Sequence, residues 1–149
     1  FSQDVEETGG FVTLFCLVIN TEKGSLDWVR AGHDPGWLYN PVEDLFEALA
    51  GDGVAVGLTA ESKYISNTLN GLAAGQIILL GTDGIWESRN PGGEMFGKRV
   101  VRNIIRQHHA AGAKAIRNAI LDELARFRQR RMPEDDVTLV VVKVLKTGK

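Results

Sequence analysis

With 149 residues, 44% of them hydrophobic and 24% charged, the chain has the composition of one globular domain, or a large part of one, able to bury a core. No apolar run approaches the roughly 18–20 residues that span a bilayer, and the acidic, polar start FSQDVEETGG is not a signal peptide. The net charge of −2 hides a polarity: residues 1–93 carry 4 Lys/Arg against 13 Asp/Glu, residues 94–133 carry 10 against 3. The acidic part suits cation binding as well as plain solubility. The single cysteine, Cys16, excludes an internal disulfide and a thiolate zinc cage, and a reducing cytoplasm is the expected setting.

In chain order, residues 1–10 read as the end of a preceding helix or a linker, and from the opening Phe1 a piece of a longer protein is expected. FVTLFCLVIN (11–20) is β-branched and aromatic, bounded by Gly9-Gly10 and the turn TEKGS, so a buried strand with Cys16 in the core is expected. LDWVRAG (26–32) alternates and should pair with it as a hairpin. PGWLYNP (35–41) reads as a short strand between prolines, and 42–53 has room for another. GVAVGL (53–58) is small and apolar, and SKYISNTLN (62–70) alternates. QIILLGT (76–82) is almost continuously apolar, which predicts a central strand.

The period then changes. Val100, Val101, Ile104, Ile105 and His108 follow helical spacing within 97–109, and Ile116, Ile120, Leu124 and Phe127 do so within 113–131. Gly112 separates these helices, Pro133 is expected to stop the second, and DVTLVVVKVL (136–145) returns as a last strand. Strands, then two helices, then a strand argue an α+β fold with a mostly antiparallel sheet covered by helices.

Three places carry groups capable of chemistry. Asp83 follows the apolar run Ile77–Leu80 at once, in TDG, where it either caps a short helix or presents a carboxylate at a strand tip for a metal. Gly84 permits the tight turn that both readings need. In PEDDVTLVVVKV (133–144), successive side chains of an extended chain point to opposite faces, so at most one of Asp135 and Asp136 can share a pocket with Asp83. If the two segments are neighbouring strands, two carboxylates meet, and such hard oxygen ligands suit Mg²⁺ or Mn²⁺ rather than zinc. His33, in AGHDPG, ends a strand at a tight turn, where a hydrogen-bonded turn residue is the plainer reading. The adjacent His108 and His109 cannot chelate one ion on a helix, and RFRQRR (126–131) reads as a solvated helix end favourable with the helix dipole, not a nucleic-acid surface. No phosphate-cradling glycine motif and no G-x-S-x-G is present.

The blocks FVTLFCLVIN, GSLDWVRAGHDPGWLY, VAVGL, GQIILLGTDGIWESRNPGGEMFG and EDDVTLVVVKV, in this order over residues 11–145, resemble the SpoIIE/RsbU-type branch of the metal-dependent protein phosphatases (the protein phosphatase 2C superfamily, PPM). The resemblance implies a PPM-type α-β-β-α sandwich, incomplete at its N-terminus, with residues 146–149 a tail. It implies a binuclear Mn²⁺ or Mg²⁺ centre at which a metal-activated water attacks phosphoserine or phosphothreonine, with no catalytic side chain beyond the metal centre. On it Asp83 and Asp135 are metal ligands, with Gly84, Asp136 and His33 as possible supporting residues, His33 without an assigned role. The family's first metal block, an Asp in a G-D-V-S-G-H-G-like stretch, has no counterpart in residues 1–10, so the chain alone is expected to hold part of the site.

The implied partners are a phosphorylated protein of the anti-sigma-factor antagonist type and N-terminal sensor or receiver domains, with no nucleic acid and no membrane contact. The alternative is a catalytically inactive PPM-like domain that binds a partner.

Overall fold

A computed structural model describes residues 10–59, 62–129, 132 and 135–145. The described residues form seven strands and three helices: β1 Leu14–Asn20, β2 Ser25–Ala31, β3 Gly36–Asn40, β4 Leu45–Leu49, β5 Asn67–Asn70, β6 Ile77–Gly81, α1 Asp83–Trp86, α2 Lys98–His108, α3 Ala113–Phe127 and β7 Leu139–Lys143. The chain divides into two compact units, one holding residues up to Gly36 with 48–74, the other 37–47 with 75–145. The sequence assignment of residues 1–10 falls almost wholly outside the described residues, as do Pro133 and the tail 146–149.

The first unit is a three-stranded antiparallel sheet in the order β1-β2-β5. β1 and β2 form the expected hairpin, in register from Leu14↔Ala31 to Asn20↔Ser25. Its loop is pinned by Asn20, whose Oδ1 accepts from the backbone N–H groups of Glu22 and Lys23 at 3.1 and 2.9 Å. In the central strand β2, Leu26 and Trp28 are buried, and the Trp28 indole donates to the Ala50 carbonyl at 2.7 Å.

β1 corrects two expectations. It starts at Leu14, and it is an edge strand with alternating exposure, not a buried one. Phe15, Leu17 and Ile19 share the half-buried face with Leu26 and Trp28, whereas Leu14, Cys16 and Val18 occupy the other face and are exposed. Apolar type alone does not fix which face of an edge strand is covered. Of the stretches 53–58 and 62–70, only Asn67–Asn70 is a strand; Val56 makes an isolated bridge to Val12.

The second unit is a four-stranded sheet in the order β4-β3-β6-β7. β6 lies between β3 and β7, antiparallel to both, as its unbroken apolar run predicts. Trp37, Tyr39, Ile77 and Leu79 face α2 and α3, and they bury Val101, Ile104, Ile105, Ile116, Ile120 and Leu124 in one continuous cluster. Each such aliphatic side chain contributes about 1.5–3 kcal/mol through burial. Ile85 and Trp86 of α1 belong to the same cluster, so the short helix is anchored by its apolar side chains rather than by its own few hydrogen bonds.

His108 is exposed, although the helical spacing grouped it with apolar positions, and His109 sits at the rim, half-buried edge-on to Tyr39 with its Nδ1 2.7 Å from the Arg106 carbonyl. One helix boundary changes. α3 ends at Phe127 rather than continuing toward Pro133, because Gln129 adopts a left-handed conformation with φ 52°. Lys143 at the end of β7 donates to the carbonyls of His109 and Ala111, at 2.6 and 2.7 Å, and so ties the loop between α2 and α3 to the sheet.

A candidate metal centre at the ends of two strands

β6 and β7 pair as far as Gly81↔Leu139. Beyond that point the ladder is continued by one side chain. Thr82 donates its backbone N–H to the Thr138 carbonyl at 3.1 Å, while its hydroxyl accepts from the Thr138 N–H and donates to the Asp136 carbonyl, each at 3.0 Å. Thr82 is the residue preceding α1, but its hydroxyl makes no capping bond there, because it is already engaged with the neighbouring segment. Asp83 is therefore the first residue of the helix and not its cap, with Oδ1 accepting from the Gly84 N–H at 3.0 Å.

Gly84 corrects the expectation of a tight turn. It is helical and lies outside the positive-φ glycines; its lack of a side chain serves a close approach. A Cβ there would collide with the Asp136 carbonyl oxygen, stand 3.1 Å from its carbon and 3.5 Å from the Asp135 oxygen. The start of α1 thus rests directly on the Asp135–Asp136 peptide. The condition that the sequence left open, that the two acidic segments be neighbours, holds for their backbones.

All three carboxylates are exposed, and the Asp135 Oδ1 accepts from the Asp136 N–H at 2.7 Å. Asp135 lines an open cleft with Gly84, Glu87, Ser88 and Arg89, and Asp136 is not among the lining residues. Asp83 sits beside this cleft in the chain, also outside its lining. His33 belongs to the first unit, where its Nδ1 lies 2.9 Å from the Asp34 carbonyl and its ring is edge-on to Phe15.

The donor chemistry fits a hard divalent cation: exposed carboxylates with main-chain carbonyls beside them and no thiolate. The number of donors is small. Among the described residues, no group of three or more His, Cys, Asp or Glu is placed to hold a metal ion. Sequence reasoning gave no site role to Thr82, Glu87, Ser88 and Arg89. For the last three the signal is the run E-x-R-N one helical turn after TDG, which keeps these side chains close to the acid.

The antiparallel α+β fold is that of a protein phosphatase 2C-type (PPM) domain. The chain belongs to the SpoIIE family: the profile described as "Stage II sporulation protein E (SpoIIE)" matches residues 1–145. Among curated relatives, the "Phosphoserine phosphatase RsbU" of Bacillus subtilis is 27% identical over 133 residues, 89% of this chain and 39% of that protein. Among solved structures, the SiaA-PP2C domain of Pseudomonas aeruginosa superposes with a TM-score of 0.74 at 20% identity, over 88% of this chain and 51% of that one. The phosphatase domain of the cell fate determinant SpoIIE from Bacillus subtilis, presoaked with Mn, gives 0.66 at 20% identity, over 92% and 59%. The chain therefore spans less than two thirds of the length of each of these relatives.

Proposed function

We propose that this chain is the C-terminal portion of the catalytic domain of a metal-dependent protein serine/threonine phosphatase, within 11–145. Its substrate is phosphoserine or phosphothreonine on a partner protein of the anti-sigma-factor antagonist type. The observation that carries this reading is the contact of Gly84 with the Asp135–Asp136 peptide, which seats Asp83 and Asp135 on adjoining segments. Asp83 and Asp135 would hold the Mn²⁺ or Mg²⁺ ions, with Gly84 giving the close approach and Asp136 the neighbouring backbone. When bound, two such cations lower the pKa of water and neutralise phosphoryl oxygens during in-line displacement. The family membership and the similarity to a phosphoserine phosphatase support this substrate class.

On the same reading the domain works in the cytoplasm, under N-terminal sensor or receiver domains. Among the described residues no helix is long and apolar enough to cross a membrane. His33 is carried in this reading as a supporting residue without an assigned role.

A second reading, a catalytically inactive PPM-like domain that binds a partner, draws on the small number of assembled acids. Calorimetric Mn²⁺ titration of the protein beside Asp83→Asn separates the two. Binding that the substitution removes, with Mn²⁺-dependent turnover of a phosphoserine peptide lost as well, is the expected result. Turnover unchanged by the substitution would defeat the phosphatase mechanism through Asp83.

A further inference from the structure

Among the described residues, the cleft beside Asp135 carries one cation in its lining, Arg89, with Glu87 and Asp135 as its acids. We propose that Arg89 is the substrate-binding residue that takes the phosphoryl group, a role that rests on the phosphatase reading above.

The loop that presents Arg89 is held at every step. Its root is closed by the Gly97 N–H on the Trp86 carbonyl at 2.8 Å and the Phe96 N–H on the Ser88 carbonyl at 2.9 Å. Ser88 is buried, and its hydroxyl donates to the Gly84 carbonyl at 2.6 Å, which fastens the loop to the helix that begins with Asp83. Arg89 and Met95 form an antiparallel bridge. The tip is folded around Asn90, whose Oδ1 accepts from the N–H groups of Gly92 and Glu94 and whose amide donates to the Glu94 carboxylate.

Within this frame the guanidinium itself is oriented, because Nη1 donates to the Gly93 carbonyl at 2.8 Å. A guanidinium has five N–H donors in a planar fork, and among the described residues the other donors of Arg89 have no protein partner. It is exposed, fixed in direction and open on the cleft side. That is the arrangement in which a phosphate monoester dianion is bound by two parallel charge-assisted hydrogen bonds. The two acids of the cleft repel such a dianion, so a positive group in the same lining is needed to offset them. The competing explanation gives Arg89 only the loop: its bond to Gly93 would staple the tip and nothing more.

The test uses the full-length protein and inorganic phosphate as the probe, titrated calorimetrically with and without Mn²⁺, for the natural chain, Arg89→Ala, Arg89→Gln and Arg89→Lys. Loss of a charge-assisted pair predicts about 10- to 100-fold weaker phosphate binding in Arg89→Ala and Arg89→Gln, with Arg89→Lys in between. Mn²⁺ affinity should stay within about twofold in all of them, since phosphate contact and metal ligation use different side chains. With a phosphoserine peptide, the same variants should raise KM as phosphate affinity falls. Arg89→Gln keeps an amide donor for Gly93, so full phosphate affinity in that variant, with loss in Arg89→Ala, would overturn the proposal in favour of the staple. Unchanged phosphate affinity in all variants would overturn it too. Failure of the natural chain to bind Mn²⁺ defeats the phosphatase reading instead, and the Arg89 dependence of phosphate binding still decides this proposal.

Discussion

Replacing Gly84 with alanine separates two roles that a glycine can have. If Gly84 were there for its conformational freedom, alanine at a helical φ and ψ would favour folding, by up to about 1 kcal/mol from helix propensity. The packing predicts the opposite sign. The new methyl group would overlap the Asp136 carbonyl oxygen and press on its carbon at 3.1 Å, and both are backbone atoms with no rotamer to escape into. Overpacking of this kind costs about 1–3 kcal/mol. The balance is a net loss of up to about 2 kcal/mol, or a fall in Tm of several degrees at about 2–4 °C per kcal/mol for a domain of this size. The functional loss should exceed the loss of stability. The methyl group moves the Asp135–Asp136 segment away from Asp83, and a displacement of about 1 Å in a catalytic constellation costs on the order of 100-fold in rate. Thermal melts, Mn²⁺ titration and turnover of a phosphoserine peptide, measured together on Gly84→Ala, make the assay. A variant more stable than the natural chain, with Mn²⁺ affinity and rate intact, would refute the close-approach argument.

Two further outcomes follow from the hydrogen bonding. Thr82→Val removes the hydroxyl that joins Thr138 and Asp136 and leaves their groups to find water, so a loss of about 1–3 kcal/mol in chemical denaturation is expected; Thr82→Ser should recover most of it. The Asp44 carboxyl is held below its usual 3.8, first by the hydrogen bond from Arg106 Nε at 2.7 Å and then by the Tyr39 hydroxyl. A depressed carboxyl contributes stability that is present above its unfolded pKa and is lost as pH falls through the folded one. The Tm gap between the natural chain and Asp44→Asn should therefore be constant above about pH 5 and close in more acid solution. Asn tolerates the left-handed φ of 51° at this position, so the substitution tests the charge alone. A gap that widens on acidification would contradict the assignment.

Much of the second unit was legible because period and burial coincide there. β6 announces itself by four successive apolar residues, and the change to helical spacing after Gly97 locates both long helices to within a few residues at their starts. The strand-end acid was legible for the same reason: an apolar run that stops at Thr82-Asp83 has to stop where the sheet does. What the sequence concealed depends on partners distant in the chain. Cys16 looks like core until β1 is known to be an edge. Gly84 looks like a turn residue until the segment it touches, some fifty positions away, is in place. Asp83 looks like a helix cap, yet it is the first residue of α1, and the hydroxyl of Thr82 before it is committed to the segment leading into β7. The end of α3 turns on one left-handed residue, Gln129, a type with no strong preference for that conformation.

The central position of β6 gives the two acids unequal lifetimes. With a strand on either side and Ile77, Ile78 and Leu79 almost inaccessible to solvent, the amides of β6 can exchange their hydrogens only when the whole unit opens. Asp83 is carried by that slowest-opening segment. Asp135 lies on an exposed lead-in, fastened ahead of β7 by the Thr82 side chain and a few backbone bonds, which local opening of that segment can release on its own. A ligand shared between them would thus leave by the Asp135 side, at a rate set by local fraying rather than by unfolding.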